Sequence, residues 1–277
     1  MRIDSHQHFW HYDPAEYPWM KPDWPIRRDC LPLDLKPLLD AAGLDGSIAV
    51  QARQSLEESR FLLELAEHHP IVKGVVGWVD LRSDRVEEQL AKWSQHPKFV
   101  GVRHVVQDEL DDDFMLGAAF QRGIGLLKQF DLTYDILVYP KQLPAAVRLV
   151  ERFPEQPFVL DHIAKPLIRD GIHSPWRERF LAIAKHPNVF CKLSGMITEA
   201  DWKTWKPSDL KPYVEVAREA FGPGRLMYGS DWPVCELAGS YSQVWNSLQE
   251  VLGPLSQEVS QAIFGGTARQ FYRLPDD

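Results

Sequence analysis

Seven short apolar stretches rich in β-branched residues recur along the chain with helical stretches between them. They are GSIAVQ at 46–51, VKGVVGWVDL at 72–81, KFVGVRHVV at 98–106, LTYDILVY at 132–139, PFVLDHI at 157–163, NVFCKLSG at 188–195 and RLMYGSDWP at 225–233. The Arg2-Ile3-Asp4 stretch before His6 makes an eighth. Near-continuous apolar runs belong to strands covered on both faces, which is the condition of a parallel sheet flanked by helices. The intervening segments carry helix punctuation: Ser55 and Glu58 have capping-box spacing, Gly43 follows Leu38-Leu39 as a helix stop, and Pro144 suits the first turn of a helix that ends before Phe153-Pro154.

Eight β/α units in 277 residues favour a closed (β/α)8 TIM barrel. The alternative is an open doubly wound sheet, but no G-x-G-x-x-G turn follows the first strand. No composition break divides the chain, so residues 1–277 are expected to form one barrel domain. Residues 9–32, with Trp10, Tyr12, Tyr17, Trp19 and Trp24 among Pro14, Pro18, Pro22 and Pro25, exceed ordinary loop length and follow the first strand, where barrel active sites lie. A lid is expected there. EADWKTWKPSD at 199–209 is a second long aromatic segment.

The balance of 31 basic and 39 acidic residues, a net charge of −8, argues against nucleic-acid or membrane-surface partners. Three cysteines without C-x-x-C spacing suggest neither a disulfide framework nor a zinc ribbon. With no secretory leader or apolar span visible, a cytoplasmic protein acting on a small molecule is expected. Homo-oligomerisation is left open.

The chemistry concentrates at predicted strand ends. In DSHQHFW, His6 and His8 stand two apart, and alternate side chains of a strand share a face. The sixth strand offers His162 and the eighth Asp231. Strand C-termini converge on the mouth of a barrel, so three imidazoles and a carboxylate meeting there make a zinc site with a position left for water or substrate. His68, His69, His96 and His186, at helix ends, read as structural, and His11 and His173 lie in loops. For substrate binding, the strand ends supply Gln51, Arg53, Trp78, Asp80, Arg103, His104, Lys165, Lys192, Ser194 and Trp232, with Arg103, His104 and Trp232 foremost.

DSHQHFW, VLDHIAKP, MYGSDWP and the terminal IFGGTARQFY, in this order across the whole chain, resemble the amidohydrolase superfamily, in particular its branch of sugar-lactone hydrolases. The resemblance implies an amidohydrolase-like barrel with His6, His8, His162 and Asp231 as metal ligands and catalytic residues. Two departures stand out. GVRHVVQ and YDILVYP show no lysine or histidine placed as a bridging or second ligand, so two metals are not expected, and Thr267 stands where asparagine is usual in such relatives. Either one divalent ion, zinc first, or no metal at all remains open.

The implied reaction is hydrolysis of a sugar-acid lactone such as L-fuconolactone. Asp231 would be the general base, and the imidazoles would polarise the carbonyl, each donor lowering the barrier by roughly 2.7–4 kcal/mol. Three rivals stay open. Arg53 and Arg103 as a pair would suit a carboxylated lactone, namely a muconolactone or pyrone dicarboxylate. Relatives with the same ligand pattern are decarboxylases, and a catalytically inactive sugar-acid binding barrel is the non-enzyme reading.

Overall fold

The computed structural model describes residues 1–275. Eight strands pair in parallel in chain order: β1 (Ile3–Gln7), β2 (Gly46–Val50), β3 (Val72–Gly77), β4 (Phe99–His104), β5 (Thr133–Ile136), β6 (Phe158–Leu160), β7 (Val189–Leu193) and β8 (Leu226–Tyr228). The end of β1 returns to the segment after β8: the His8 amide donates to the Trp232 carbonyl at 2.7 Å and the Asp231 amide to the His6 carbonyl at 2.8 Å. This closes the expected (β/α)8 barrel. Each strand from β2 on stops before its apolar stretch does, because the last residues of each stretch turn into the loops at the barrel mouth.

Eight helices alternate with the strands: α1 (Pro32–Ala42), α2 (Leu56–His68), α3 (Val86–Trp93), α4 (Ala118–Leu127), α5 (Leu143–Arg152), α6 (Trp176–Ala184), α7 (Pro207–Phe221) and α8 (Tyr241–Leu252). The short helices α9 (Gln257–Gln261) and α10 (Thr267–Phe271) follow. Gly43 ends α1 at φ 66°, and Pro144 sits in the first turn of α5. The capping box at α2 forms only by half. The Ser55 hydroxyl accepts from the Glu58 amide, while the Glu58 carboxylate accepts instead from the Ala52 and Arg53 amides, each at 2.7 Å. Glu58 thus anchors the loop after β2 rather than the start of its helix.

The barrel interior is layered. At the bottom Ile3, Ile48, Val76, Val100, Val159 and Met227 pack together, plugged from beneath by Phe271, Tyr272 and Leu274 of the C-terminal segment. Gly265 permits this closure, since a Cβ there would lie 2.3 Å from the Met1 carbonyl oxygen. Thr267 is the first residue of α10, whose N-cap is Gly266, and its hydroxyl donates to the Pro223 carbonyl. Along β1 the register against β2 slips between Asp4 and Gln7. The extra residue lets Ile3 join the apolar floor while His6 turns toward the mouth.

Residues 9–32 fold back on themselves through a Trp10–Cys30 bridge and bury Trp10, Tyr17, Met20 and Ile26. Arg53 holds this segment through Glu16 at 2.7 Å, and Glu236 holds it through Arg28 at 2.9 Å. Trp24 meets Trp202, from the segment after β7, edge to face at 5.8 Å. Among the described residues no helix is long and apolar enough to cross a membrane.

Candidate active site

His6, His8, His162 and Asp231 come together at the mouth. The Nε2 atoms of His6 and His8 lie 3.3 Å apart, and Asp231 Oδ1 lies 3.3 Å from His8 Nε2, 3.8 Å from His6 Nε2 and 3.9 Å from His162 Nε2. The backbone is bent hard to achieve this. Residues 162 to 165 all have φ between 45° and 57°, and Asp231 has φ 57°, a region that costs a non-glycine residue about 1–2 kcal/mol. Two glycines make room: a Cβ on Gly195, itself at φ 58°, would sit 2.4 Å from His162 Nδ1, and one on Gly229 would sit 2.7 Å from the His6 Cβ.

Second partners fix the rings. His8 Nδ1 lies 2.7 Å from the Val50 carbonyl, which only accepts, so this nitrogen carries the proton and Nε2 presents its lone pair. Arg103 Nη1, which only donates, lies 3.3 Å from His6 Nε2, and His6 Nδ1 faces Asp161 Oδ1 at 3.3 Å. Two unprotonated imidazole nitrogens and a carboxylate oxygen therefore stand together, the His6 nitrogen shared with Arg103. Donors bound tetrahedrally to zinc at about 2.0–2.2 Å stand about 3.3–3.6 Å apart, close to the spacing of His6, His8 and Asp231. This donor set fits a divalent ion, with a mixed nitrogen and oxygen character that suits zinc.

Burial opposes the charge on Asp231, but the imidazoles of His162, His8 and His6 around it outweigh that and hold the carboxyl well below the usual carboxylate range. Burial also brings the His162 ring down to about 4 and the His6 ring well below its ordinary value. Near neutrality Asp231 is ionised while the His6 and His162 rings are neutral.

Beneath it lies a polar layer that the sequence did not reveal as a unit. Lys192 Nζ, wholly buried, is 2.5 Å from Asp135 Oδ2, 3.0 Å from Asp161 Oδ1 and 3.2 Å from His6 Nδ1. Arg103 Nη1 donates to Asp161 Oδ2 at 3.0 Å, and Tyr272 donates to Asp135 Oδ2 at 2.8 Å. Buried charges persist only when paired, and here two cations face two carboxylates. The only early signal for Asp161 was its place beside His162 in VLDHI.

A cavity of about 370 Å³ opens above this floor. His8, Arg103, His162, Lys165 and Asp231 line it, as do Trp19, Trp24 and Trp202 from the two aromatic segments. Tyr139, Glu199 and Asp108 also line it and were not foreseen. Tyr139 closes the fifth apolar stretch and Glu199 opens the second aromatic segment, positions at which a strand-end reading can look.

Other expected substrate residues are engaged elsewhere. His104 bonds Glu109 at 2.7 Å and stacks on Phe114, with the Trp78 indole at 3.4 Å from its Nδ1. Trp232 is buried and donates to Glu236 at 2.8 Å. Gln51 grips Arg103, its Oε1 accepting from Nη2 at 2.9 Å and its carbonyl from the same nitrogen. Arg53 is held by Glu16 and Glu58. Ser194 holds His162 Nδ1 at 2.9 Å, Lys192 lies in the charged layer beneath the cavity, and Asp80 accepts from the Arg82 amide.

Comparison with known proteins gives a consistent picture. The amidohydrolase family matches residues 3–274. A protein named L-fucono-1,5-lactonase from Burkholderia multivorans is 43% identical, covering 100% of this chain and 97% of its own length. One of the same name from Burkholderia ambifaria is 39% identical, over 99% and 96% respectively. A crystal structure of an amidohydrolase from Burkholderia multivorans with bound zinc superposes with a TM-score of 0.95 at 44% identity, covering 99% of this chain and 100% of that one.

Proposed function

The chain belongs to the amidohydrolase family, and from that premise we propose that it hydrolyses a sugar-acid lactone of the L-fuconolactone type to the open hydroxy acid. The observation that carries this reading is the meeting of an ionised Asp231 with His8 and His162 on the floor of a cavity walled by indoles and hydrogen-bonding groups, with His6 buried just beneath. Aromatic faces take the C–H side of a sugar ring while scattered donors take its hydroxyls.

All the close approaches of Asp231 to the imidazoles run to Oδ1, so Oδ2 is the oxygen assigned to the water. As the water oxygen bonds to the lactone carbonyl carbon, one proton passes to Asp231. The ring C–O bond then breaks, and that proton goes to the departing ring oxygen, which becomes a hydroxyl of the product. Arg103, fixed by Gln51 and Asp161, carries a preorganised positive charge beside the developing oxyanion. A divalent ion held by His6, His8 and Asp231, with His162 alongside and zinc the ion of choice, would supply Lewis-acid polarisation of the carbonyl.

One observation supports the neutral lactone over a carboxylated one. With Arg53 committed to Glu16 and Glu58, the arginine pair that a dicarboxylate would need is not assembled. Three buried free thiols suit the cytoplasm as the place of this step in carbohydrate metabolism. A panel of aldono-1,4- and 1,5-lactones followed with a pH indicator tests the reading. Acid production without CO₂ is expected. CO₂ release from aromatic acids would replace it with a decarboxylase, and a lactone persisting at equimolar protein while raising Tm would replace it with a binding barrel.

A further inference from the structure

The left-handed run after β6 does more than deliver His162. It continues through Lys165 at φ 49°, and both His162 and Lys165 line the cavity. Lys165 Nζ lies 3.2 Å from Glu199 Oε1 and 5.5 Å from the centre of the Tyr139 ring, and both partners also line the cavity. The side chains of the pair are 16% and 18% exposed, withdrawn from bulk water yet open to whatever fills the space. Stability gives little reason for such a pair. An exposed ion pair stabilises by about 0–1 kcal/mol, and burying one costs desolvation.

Recognition gives a reason. An ammonium offers only donors and a carboxylate only acceptors, so side by side they complement two hydroxyls on neighbouring carbons, each of which both gives and receives a hydrogen bond. The charges cancel, so the pair does not recruit an anion. Trp24 and Trp202 of the same cavity supply apolar faces for the C–H side of a ring.

We propose that Lys165 and Glu199 form a vicinal-diol subsite that selects polyhydroxylated lactones over rings without hydroxyls. This rests on the lactonase reading for the identity of the ring, and its test separates the two. Glu199→Gln and Lys165→Met are compared with the parent protein on a polyhydroxylated 1,5-lactone and on δ-valerolactone, the bare ring. Calorimetric titration with the corresponding δ-lactams, hydroxylated and bare, gives Kd without turnover.

A group built to bond a hydroxyl discriminates strongly against its absence, so each variant is expected to lose at least about tenfold in kcat/KM and Kd for the hydroxylated ring, chiefly through KM, and under about threefold for the bare one. Equal losses on both rings, or a loss under about threefold on the hydroxylated ring, overturn the subsite. If the parent protein opens no lactone but binds the hydroxylated lactam and loses that binding in the variants, the hydrolase reading falls and the subsite stands. Circular dichroism and Tm of Glu199→Gln, which is isosteric, separate a folding defect from lost recognition.

Discussion

Asp231, the proposed base, faces three imidazoles and remains ionised despite burial. Asp231→Asn keeps the shape and removes the base. Its turnover is expected to fall by about 10²–10⁴ while cooperative unfolding in urea is retained, and substantial residual activity would remove Asp231 from this role. His104 makes a different prediction. Burial lowers its pKa, so the folded ring binds a proton less readily than the unfolded one. Its contribution to stability is complete above about pH 6.5 and is lost as the pH falls below that value. His104→Gln therefore flattens the fall of unfolding free energy as the pH drops below about 6.5, read from urea midpoints, and an unchanged slope would contradict the assignment.

At the level of elements, the loops after β1, β2, β7 and β8 act together. Arg53, from the loop after β2, lies over the Tyr17 ring and binds Glu16, so the segment 9–32 is clasped to the barrel by a residue that does not line the cavity. Arg53→Met loosens this clasp. A half-exposed pair holds about 1 kcal/mol or less, so cleavage by chymotrypsin within residues 9–32 is expected to rise up to about fivefold with little change in Tm. A variant that instead weakened only the binding of carboxylated lactones would make Arg53 a substrate clamp. The loop after β7 depends on Gly195 just as closely. Gly195→Ala meets the His162 ring and places a Cβ at positive φ, so a loss of about 1–3 kcal/mol in stability accompanied by reduced turnover is expected, measured by denaturant unfolding and assay.

Across the whole molecule the barrel is a stack: an apolar floor plugged by the C-terminal segment, a layer of buried charges, and the open site above. Tyr272 reaches from the plug to Asp135, so the last helix is joined through Asp135 and Lys192 to the Asp161 carboxylate that His6 faces. An ion that binds only the folded chain raises stability by mass action, about 2.7 kcal/mol at roughly 100 times Kd. Zinc is therefore expected to raise Tm in metal-stripped protein, and His8→Ala to abolish the shift. Full activity in a sample shown metal-free by elemental analysis would leave the imidazoles as hydrogen-bonding groups alone.

Strand number, parallel order and the four residues that meet at the mouth were legible in the sequence. Apolar periodicity is local, and a closed parallel barrel sends every strand end to one place. His6, His8, His162 and Asp231 could be named because each ends a recognisable stretch. The fates of His104, Trp232 and Arg53 could not. Each stands at a strand end as Arg103 does, and only packing against Glu109, Glu236 and Glu16 turned them from the cavity. The same holds for Lys192, Asp135 and Asp161. Their pairing joins three different strands and their loops, so it exists only once the barrel closes and removes water from the charges. The chain alone determined which residues could meet; tertiary burial decided which of them line the cavity, because desolvation makes each charge take the nearest partner.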